Sequence, residues 1–434
     1  MNVKKNLLPD DVNYVIYHSP CCDGTGSGLV AWKYLSHKFP DRKVIYKPMS
    51  IGAPPQSDLE GKNVLICDYS YKKDIILELL KKVNKLLIID HHKSAEKDLI
   101  DIDDKYKIFN MDHSGAILTW NYFYPDREIP LLLQYIEDRD IWRKQLPNSD
   151  DFFAAISILP HDFEVYNQYF DSEKILDLIN NKGRAYGELN KYNADNTSDY
   201  AVPKFCKIKG KYYIVGYVNT TVLKSDVGNM IFNKLPHIDF SVVYSINDKS
   251  NSTSFSLRST PKHADVSEIA FSFQGGGHRE ASGLRIDYVT STLPGRVYDH
   301  GDVYKLLEKI YYDKYIIDTV TFNVIYLHST FYRHALGTYL LQTKYQTKDK
   351  EKIQVGSCLK EGMTQHLHIA CIWSYDAANN MSEYIITFDD SLSNGIKDKF
   401  IKKQYQDYGE EAIDRVEEKS MKMHLPEMKR ILNY

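Results

Sequence analysis

The feature that most constrains this chain is the apolar run from Lys85 to Ile89, which is followed directly by Asp90, His91 and His92. An apolar run of this length, bordered by charged residues, is typical of a buried strand in a parallel sheet. Open α/β sheets bind their ligands at the carboxyl ends of such strands. Carboxylate and imidazole groups at that end suit Mn²⁺, Mg²⁺, Fe or Zn²⁺. The pattern predicts an α/β fold with a metal site, although a His-His pair after a strand is also a common loop sequence.

Three further predicted elements end in residues that can bind a metal. These residues are His18, Cys21 and Asp23 after the strand 13–17, Asp68 after the strand 64–67, and Asp138 after the helical pattern 131–136. Each acidic residue alone has an ordinary interpretation as a turn or surface residue. Because the carboxyl ends of parallel strands meet at one edge of a sheet, their recurrence favours one polynuclear metal site.

The order of these segments resembles the four motifs of the DHH phosphoesterase family. A fifth segment, Gln274 to Gly283, resembles the Gly-Gly-Gly-His element of the C-terminal domain that accompanies DHH domains. Segments at 256–259 and 265–270 precede it in the usual family order. The resemblance covers residues 10 to 290 and is specific for the superfamily, and much less so for a substrate.

The resemblance implies phosphoester hydrolysis by two divalent cations, roughly 3.5–4 Å apart, that promote an in-line attack on phosphorus. Manganese would be the usual ion, with magnesium, zinc and iron as alternatives. By resemblance, Asp68 would contact both cations. One cation would be held by Asp23, His91 and Asp138, and the other by His18.

The same resemblance assigns the remaining catalytic roles to the segment at the end of the first run. His92 would face the substrate phosphate. Asp90 would orient His91 from behind or bind a metal directly. Together with Asp68, these three residues form the expected catalytic set.

One position departs from the common family pattern. Many members carry two aspartates separated by one residue in the first motif, whereas here Cys21 stands at the first position and Asp23 at the second. The segment is similar to a His-Ser-Pro-Cys-x-Asp-Gly form found in some branches. A thiolate ligand would favour Zn²⁺ or Fe over Mn²⁺. Alternatively, Cys21 is not a ligand and the first metal site is weak.

The glycine run suggests a substrate-binding role. Gly275, Gly276 and Gly277 let the backbone approach a ligand closely, and consecutive amide groups can form an anion-binding nest. His278 and Arg258 can add side-chain donors to a phosphate. We expect these residues to hold the part of a nucleotide beyond the scissile phosphate, although a glycine-rich turn with a solvated histidine is the simpler alternative.

Length and composition bound the remaining choices. A chain of 434 residues predicts two to three domains, and 43% hydrophobic with 26% charged residues is typical of a globular protein. The net charge of −3 counts against a protein that coats long nucleic acids. Six cysteines without a signal-type N-terminus predict reduced thiols and a cytoplasmic location. The sequence contains no stretch of eighteen apolar residues, so we expect no membrane span.

The predicted architecture is an α/β, parallel-sheet DHH domain joined by a connecting helix to a smaller mixed α/β domain, with a C-terminal extension. The boundaries are 1–160, 161–200, 201–296 and 297–434. In the extension, residues 318–329 and 384–388 predict strands, and residues 410–432 predict a charged helix. A homodimer contact or a substrate lid are alternative roles for the extension.

The function predicted from this pattern is a metal-dependent phosphodiesterase or phosphatase. Short oligoribonucleotides or nucleoside bisphosphates are the expected substrates. A single-strand exonuclease is one alternative, and a basic groove would distinguish it because long strands need several phosphate contacts. A catalytically silent nucleotide-binding or scaffold protein is another, motivated by Cys21 in place of an aspartate.

Overall fold

A computed structural model describes residues 4–50, 52–342, 345–346, 353–355, 358–359, 368–379, 381–390, 392–417 and 420–426. The contacts of the chain divide it into two compact units. The first contains Met1–Asn193 and the short segment Gly276–His278, and the second contains Ala194–Gly275 and Arg279–Tyr434. The finer boundaries expected from the sequence remain predictions.

The first unit is built on a sheet of five parallel strands, which confirms the predicted fold class. The strands are β1 (Tyr14–His18), β2 (Ile45–Met49), β3 (Asn63–Cys67), β4 (Lys85–Asp90) and β5 (Lys107–Phe109), in the order β2-β1-β3-β4-β5. The sequences of these strands are continuous apolar runs because both faces of the sheet are covered by hydrophobic clusters. In β4, Leu87 and Ile89 belong to one hydrophobic cluster, whereas Leu86 and Ile88 belong to another.

Helices flank these strands and complete the first unit. They are α1 (Cys22–Lys38), α2 (Lys73–Lys82), α3 (Lys93–Asp98), α4 (Gly115–Phe123), α5 (Leu131–Asp140), α6 (Ser149–Ile156), α7 (Phe163–Asn167), α8 (Ser172–Leu178) and α9 (Arg184–Ser198), whose residues from Ala194 onward are counted with the second unit. A π-helical turn, Ile179–Gly183, joins α8 to α9 and gives one helical stretch where a connecting helix was predicted. Ser114 caps α4 by accepting from the amide of Ile117.

Within the described parts of the chain, we find no helix that is both long and apolar enough to cross a bilayer.

The second unit begins with a mixed sheet. Its elements are β6 (Val202–Ile208), β7 (Lys211–Asn219), α10 (Lys224–Lys234), β8 (Phe240–Asn247), β9 (Ser252–Arg258), α11 (Val266–Phe271), the two-residue β10 (Gly276–Gly277, counted with the first unit), β11 (Ala281–Ile286), β12 (Arg296–Asp299) and α12 (Asp302–Leu306). Strands β11, β9, β8, β7, β6 and β12 follow one another in that order. Strands β6 and β7 form a hairpin, whose turn places Lys209 and Gly210 at positive φ.

A second mixed sheet follows in the same unit. Its elements and neighbours are β13 (Tyr311–Ile317), β14 (Val320–His328), α13 (Arg333–Leu341), β15 (Tyr345–Gln346), β16 (Ile353–Val355), β17 (Cys358–Leu359), β18 (Ile369–Asp376), β19 (Met381–Phe388), α14 (Asn394–Tyr408), β20 (Ile413–Val416) and β21 (Ser420–Pro426). Strands β13, β14, β18, β19, β21 and β20 form the sheet in that order. The strands predicted at 318–329 and 384–388 correspond to β14 and β19.

The helix predicted over 410–432 is wrong for the residues that the structure describes. Strands β20 and β21 occupy this region, and residues 427–432 lie outside the described residues. In β21, Met421 and Met423 are buried while Lys422 is half-buried between them. Burial that alternates with a period of two is the pattern of a strand with one covered face. This pattern, rather than the charged composition that suggested a helix, determines the structure here.

One hydrophobic cluster in the second unit contains residues from both sides of position 297, where the extension was expected to begin. Phe205 and Ile214 of the first mixed sheet pack in one cluster with Leu336 and Leu340 of α13 and with Ile325 of β14. The extension is therefore tied to the preceding sheet through a shared core. A further cluster, around Phe322 and Phe400, lies within the extension itself.

Candidate metal centre

The side chain of Asp68 lies at the centre of a cluster of metal-binding groups in the first unit. It follows β3, and only 2% of its surface is exposed. Neither carboxylate oxygen has a hydrogen-bond partner among the described residues. The Nδ1 of His18 is 3.5 Å from Oδ2, and the Nε2 of His91 is 3.2 Å from Oδ1. Each oxygen of Asp68 therefore faces a different imidazole.

The second carboxylate of the cluster, Asp23, lies in the first turn of α1. Its Oδ2 accepts from the amide of Gly115 at 2.7 Å and its Oδ1 from the amide of Ala116 at 2.9 Å. Both amides belong to the first turn of α4, whose N-terminal dipole favours a negative charge. Two elements that are distant in sequence thus fix the position of this carboxylate.

At two positions of this site the backbone lies so close to neighbouring atoms that only glycine fits. A Cβ at Gly115 would lie 2.6 Å from the Cβ of Asp68 and 3.0 Å from the Oδ2 of Asp23. A Cβ at Gly24 would lie 2.1 Å from the carbonyl oxygen of His18. The absence of a side chain at both positions lets α4 and α1 pack directly against the cluster.

The imidazole of His91 is surrounded by three carboxylates. Its Nε2 lies 3.2 Å from Asp68, 3.4 Å from Asp140 and 3.6 Å from Asp23. Burial alone would lower the pKa of His91, but the carboxylates, with Asp68 and Asp140 foremost, raise it. Burial, followed by the charges of Asp68 and Asp140, raises the pKa of Asp23 well above its usual range.

Asp138 does not reach this cluster, and Asp140 lies there in its place. The carboxylate of Asp138 accepts from the amides of Gln145 at 2.8 Å and Leu146 at 3.2 Å, so it stabilises the turn after α5. Residues two apart on a helix point about 200° apart, so only one of the two can face His91. The sequence offered four consecutive polar residues at 137–140, and their order alone does not indicate which of them faces the site.

A second group of possible ligands lies on the other side of Asp68. His18, Cys21 and Asp68 each provide a ligand atom, and these atoms lie within 4.8 Å of one another. Desolvation, and then the charge of Asp68, raises the pKa of the Cys21 thiol. A cation bound here would reverse that preference and favour the thiolate. The position of Cys21 fits the ligand interpretation, while its role remains a prediction.

Asp90 orients His92 and also contacts the backbone of His91, while its expected roles of orienting His91 or binding a metal directly remain predictions. The Nδ1 of His92 donates to Oδ1 of Asp90 at 2.7 Å, and the hydroxyl of Ser70 donates to Oδ2 at 2.6 Å. The backbone amide of His91 also donates to Oδ1, at 2.7 Å. This pairing assigns the proton to Nδ1 of His92 and leaves its Nε2 for another partner.

His278 lies beside the histidines of the cluster, within the same unit. Its ring stacks on His92 at 4.9 Å with an interplanar angle of 18° and lies 4.8 Å from the ring of His91. The amide of Gly277 donates to the hydroxyl of Ser94 at 3.0 Å and holds the segment on α3. Burial, together with the charges of His92 and His91, lowers the pKa of His278 to about 3. The expectation that His278 acts away from the reacting centre is therefore not supported.

Arg258 and two of the glycines have contacts that account for them without a ligand. The guanidinium of Arg258 donates to the carbonyl of Leu257 at 2.7 Å and to the hydroxyl of Ser225 at 2.6 Å. A Cβ at Gly275 would lie 2.3 Å from the carbonyl oxygen of Gly283, which belongs to the same unit. A Cβ at Gly276 would lie 2.5 Å from the hydroxyl of Ser94 in the first unit. The binding roles of these residues remain predictions.

The donor set fits divalent cations. Three carboxylates, Asp23, Asp68 and Asp140, meet at one imidazole, and both oxygens of Asp68 lack hydrogen-bond partners among the described residues. A buried carboxylate that accepts no hydrogen bond is costly in a protein interior, and a bound cation would offset this cost. Oxygen and imidazole ligands suit Mn²⁺, Mg²⁺ and Zn²⁺, whereas the sulfur of Cys21 shifts preference towards softer ions.

Comparison with known proteins gives the same family as the motifs. Uncharacterized protein R106 of Acanthamoeba polyphaga mimivirus is 35% identical to this chain over 296 residues, which are 66% of this chain and 70% of that protein. Oligoribonuclease NrnB of Bacillus subtilis (strain 168) is 26% identical over 308 residues, which are 63% of this chain and 73% of that protein. The chain belongs to the DHH phosphoesterase family.

No family model matches the chain. Among solved structures, an exopolyphosphatase-related protein of Bacteroides fragilis is 16% identical, with a TM-score of 0.36 over 69% of this chain and 91% of that one. Enzymes with DHH domains are phosphodiesterases, phosphatases and exonucleases, and this chain is a hydrolase of that kind. Which branch of the DHH family it belongs to remains a prediction.

The contact between α4 and Asp68 gives a first prediction. Gly115→Ala should weaken Mn²⁺ binding by roughly 10- to 100-fold, the range found when residues behind metal ligands are changed, because the added Cβ displaces Asp68 and the amide that holds Asp23. Isothermal titration of metal-depleted protein with Mn²⁺ measures this. Gly395→Ala is the control, since a Cβ there has no atom within 4 Å. Equal affinities for the two variants would contradict the close approach.

Proposed function

We propose that this chain is a metal-dependent phosphoester hydrolase that acts on short oligoribonucleotides or nucleoside bisphosphates. One observation carries the proposal. The buried carboxylate of Asp68 has no hydrogen-bond partner among the described residues and lies between two groups of possible ligands. A carboxylate in this environment is suited to contact two cations at once, which is the arrangement used for in-line attack on phosphorus.

The proposed ligands fall into two sets that share Asp68. One set adds Asp23, His91 and Asp140, and the other adds His18 and Cys21. The bound cations, for which manganese is the first choice, would polarise the phosphoryl oxygens and make the attacking water more acidic. Asp140 takes the place that the sequence suggested for Asp138, because it lies 3.4 Å from the Nε2 of His91.

The histidines beside the cluster are proposed to position the substrate phosphate. Burial alone would lower the pKa of His92, but the charge of Asp90 next to Nδ1 raises it, so the protonated ring can donate from Nε2 to a phosphoryl oxygen. His278 stacks on that ring and restricts its rotation. Its lowered pKa keeps His278 neutral, so it adds no positive charge beside His92. Arg258 and Gly275 are proposed to hold the nucleotide beyond the cleaved bond.

The substrate class is supported by composition and by a relative. The related NrnB is named an oligoribonuclease, which favours a short ribonucleotide chain. The net charge of −3 favours a short substrate, because long strands usually require an extended basic surface.

Asp140 and Asp138 provide a matched pair of variants. Asp140→Asn should reduce the bound Mn²⁺ and lower turnover by more than the roughly 10- to 100-fold typical of residues behind metal ligands. Asp138→Asn should keep the metal content and lose stability by about 1–3 kcal/mol, since it weakens a buried hydrogen-bonded turn. Elemental analysis, turnover and urea unfolding measure the three quantities. Loss of metal in Asp138→Asn but not in Asp140→Asn would reverse the assignment.

A substrate panel tests the proposed function itself. Metal-loaded protein should hydrolyse dinucleotides or nucleoside bisphosphates with a higher kcat/KM than long single strands. Chromatography of the products separates these activities, and Asp68→Asn protein controls for contaminating nucleases. Preference for long strands with a steep loss at high salt would favour an exonuclease. No hydrolysis of any substrate by protein that carries its metal would contradict the proposal.

A further inference from the structure

The second unit contains a cavity that shares no residue with the metal centre. It has a volume of about 250 Å³, and we refer to it as the tyrosine cavity. Its lining residues are Thr197, Tyr200, Val202, Lys204, Tyr217, Val218, Asn219 and Tyr244. All of them lie between the end of α9 and β8, so the cavity is formed within the second unit alone.

Three tyrosines give the cavity an aromatic lining. Tyr217 is buried and Tyr244 is half-buried, whereas 79% of Tyr200 is exposed. The neighbouring Val202 is 41% exposed, so two large apolar side chains lie uncovered near each other in sequence. An exposed tyrosine ring beside a cavity can gain free energy by stacking against a flat aromatic ligand.

The charged side chain in the lining is a lysine. The ammonium of Lys204 lies 5.0 Å from the centre of the Tyr217 ring. Among the residues that the structure describes, no carboxylate pairs with Lys204. The nearby Asp195 on α9 and Asp199, directly after α9, pair instead with Lys234 at 3.0 and 2.8 Å. Burial lowers the pKa of Lys204. An anion next to this ammonium would offset the cost of its burial.

The size of the cavity limits what it can hold. Its volume is below the roughly 300–1,000 Å³ typical of sites for drug-sized ligands. One nucleobase fits better than a whole nucleotide, so a phosphate attached to it would lie towards the rim. The side-chain amide nitrogen of Asn219 donates to the carbonyl of Tyr244 at 3.3 Å, so its amide oxygen can still accept from a base.

We propose that the tyrosine cavity binds a nucleoside monophosphate unit, with its base against Tyr200 and its phosphate at Lys204. The unit can be a free mononucleotide or the phosphorylated end of an oligonucleotide. The proposal follows from an aromatic lining combined with a cation that lacks an acidic partner among the described residues. It does not depend on the hydrolysis proposed for the metal centre, and the two can fail separately.

Photolabelling of the full chain tests the site directly. The probe is an azido derivative of adenosine monophosphate, used in EDTA so that the metal centre is inactive. Mass spectrometry should locate the label in peptides that contain residues 197–204, 217–219 or 244. Lys204→Met should weaken labelling by roughly 10- to 100-fold, the range of a charge-assisted contact. Tyr200→Ala should weaken it by roughly 5- to 150-fold through the loss of stacking.

Lys207→Met is the matched control. Lys207 lies on the same strand, is half-buried like Lys204, and also lies 5.0 Å above a tyrosine ring, that of Tyr212, but it does not line the cavity. Labelling of this variant should equal that of the unchanged protein. Label found only outside the cavity, or equal losses in the two lysine variants, would overturn the proposal.

Competition identifies the source of the ligand. Unlabelled adenosine monophosphate and a 5′-phosphorylated dinucleotide should both displace the probe, and the stronger competitor is the physiological form. Adenosine should compete less well because it lacks the phosphate, and inorganic phosphate less well because it lacks the base. Displacement by phosphate alone as strong as by the mononucleotide would reject the stacking contact and the proposal with it.

Discussion

The carboxylate of Asp68 combines three unfavourable features that an ordinary folded protein avoids. It is buried, its backbone is in the left-handed region at φ +51°, and its oxygens have no hydrogen-bond partner among the described residues. Each feature costs free energy of order 1–3 kcal/mol. The imidazoles of His18 and His91 hold the pKa of Asp68 below its usual range in spite of burial, so the carboxylate stays charged. A pair of cations is the simplest group that would satisfy it.

The surrounding fold is arranged to keep this carboxylate in place. Parallel strands bring Asp68 and His91 to one edge, and the first turn of α4 supplies amides that fix Asp23. Gly115 is the point of contact between α4 and the cluster. The ligand residues therefore lie in strands and helices or directly beside them, and the sheet that carries them is buried on both faces.

The sequence predicted those parts of the site that follow a clear local pattern. Asp68 and His91 each end an apolar run, so a parallel sheet brings them together. Asp140 was missed because helical rotation decides which of several adjacent acidic residues faces inward. The stacking of His278 on His92 joins residues far apart in the chain, and no local pattern predicts such a contact. In the extension, charged composition suggested a helix at 410–432, whereas the alternating burial in β21 belongs to a strand.

The most direct test of the account is electron paramagnetic resonance of the full chain loaded with Mn²⁺. If Asp68 contacts two ions, the protein should bind two Mn²⁺ per chain and give the broad spectrum of an exchange-coupled pair. Asp68→Asn should lose that coupling, while an isolated six-line signal from any remaining ion should appear. A spectrum of one isolated Mn²⁺ in the unchanged protein, with full activity, would contradict the central role of Asp68.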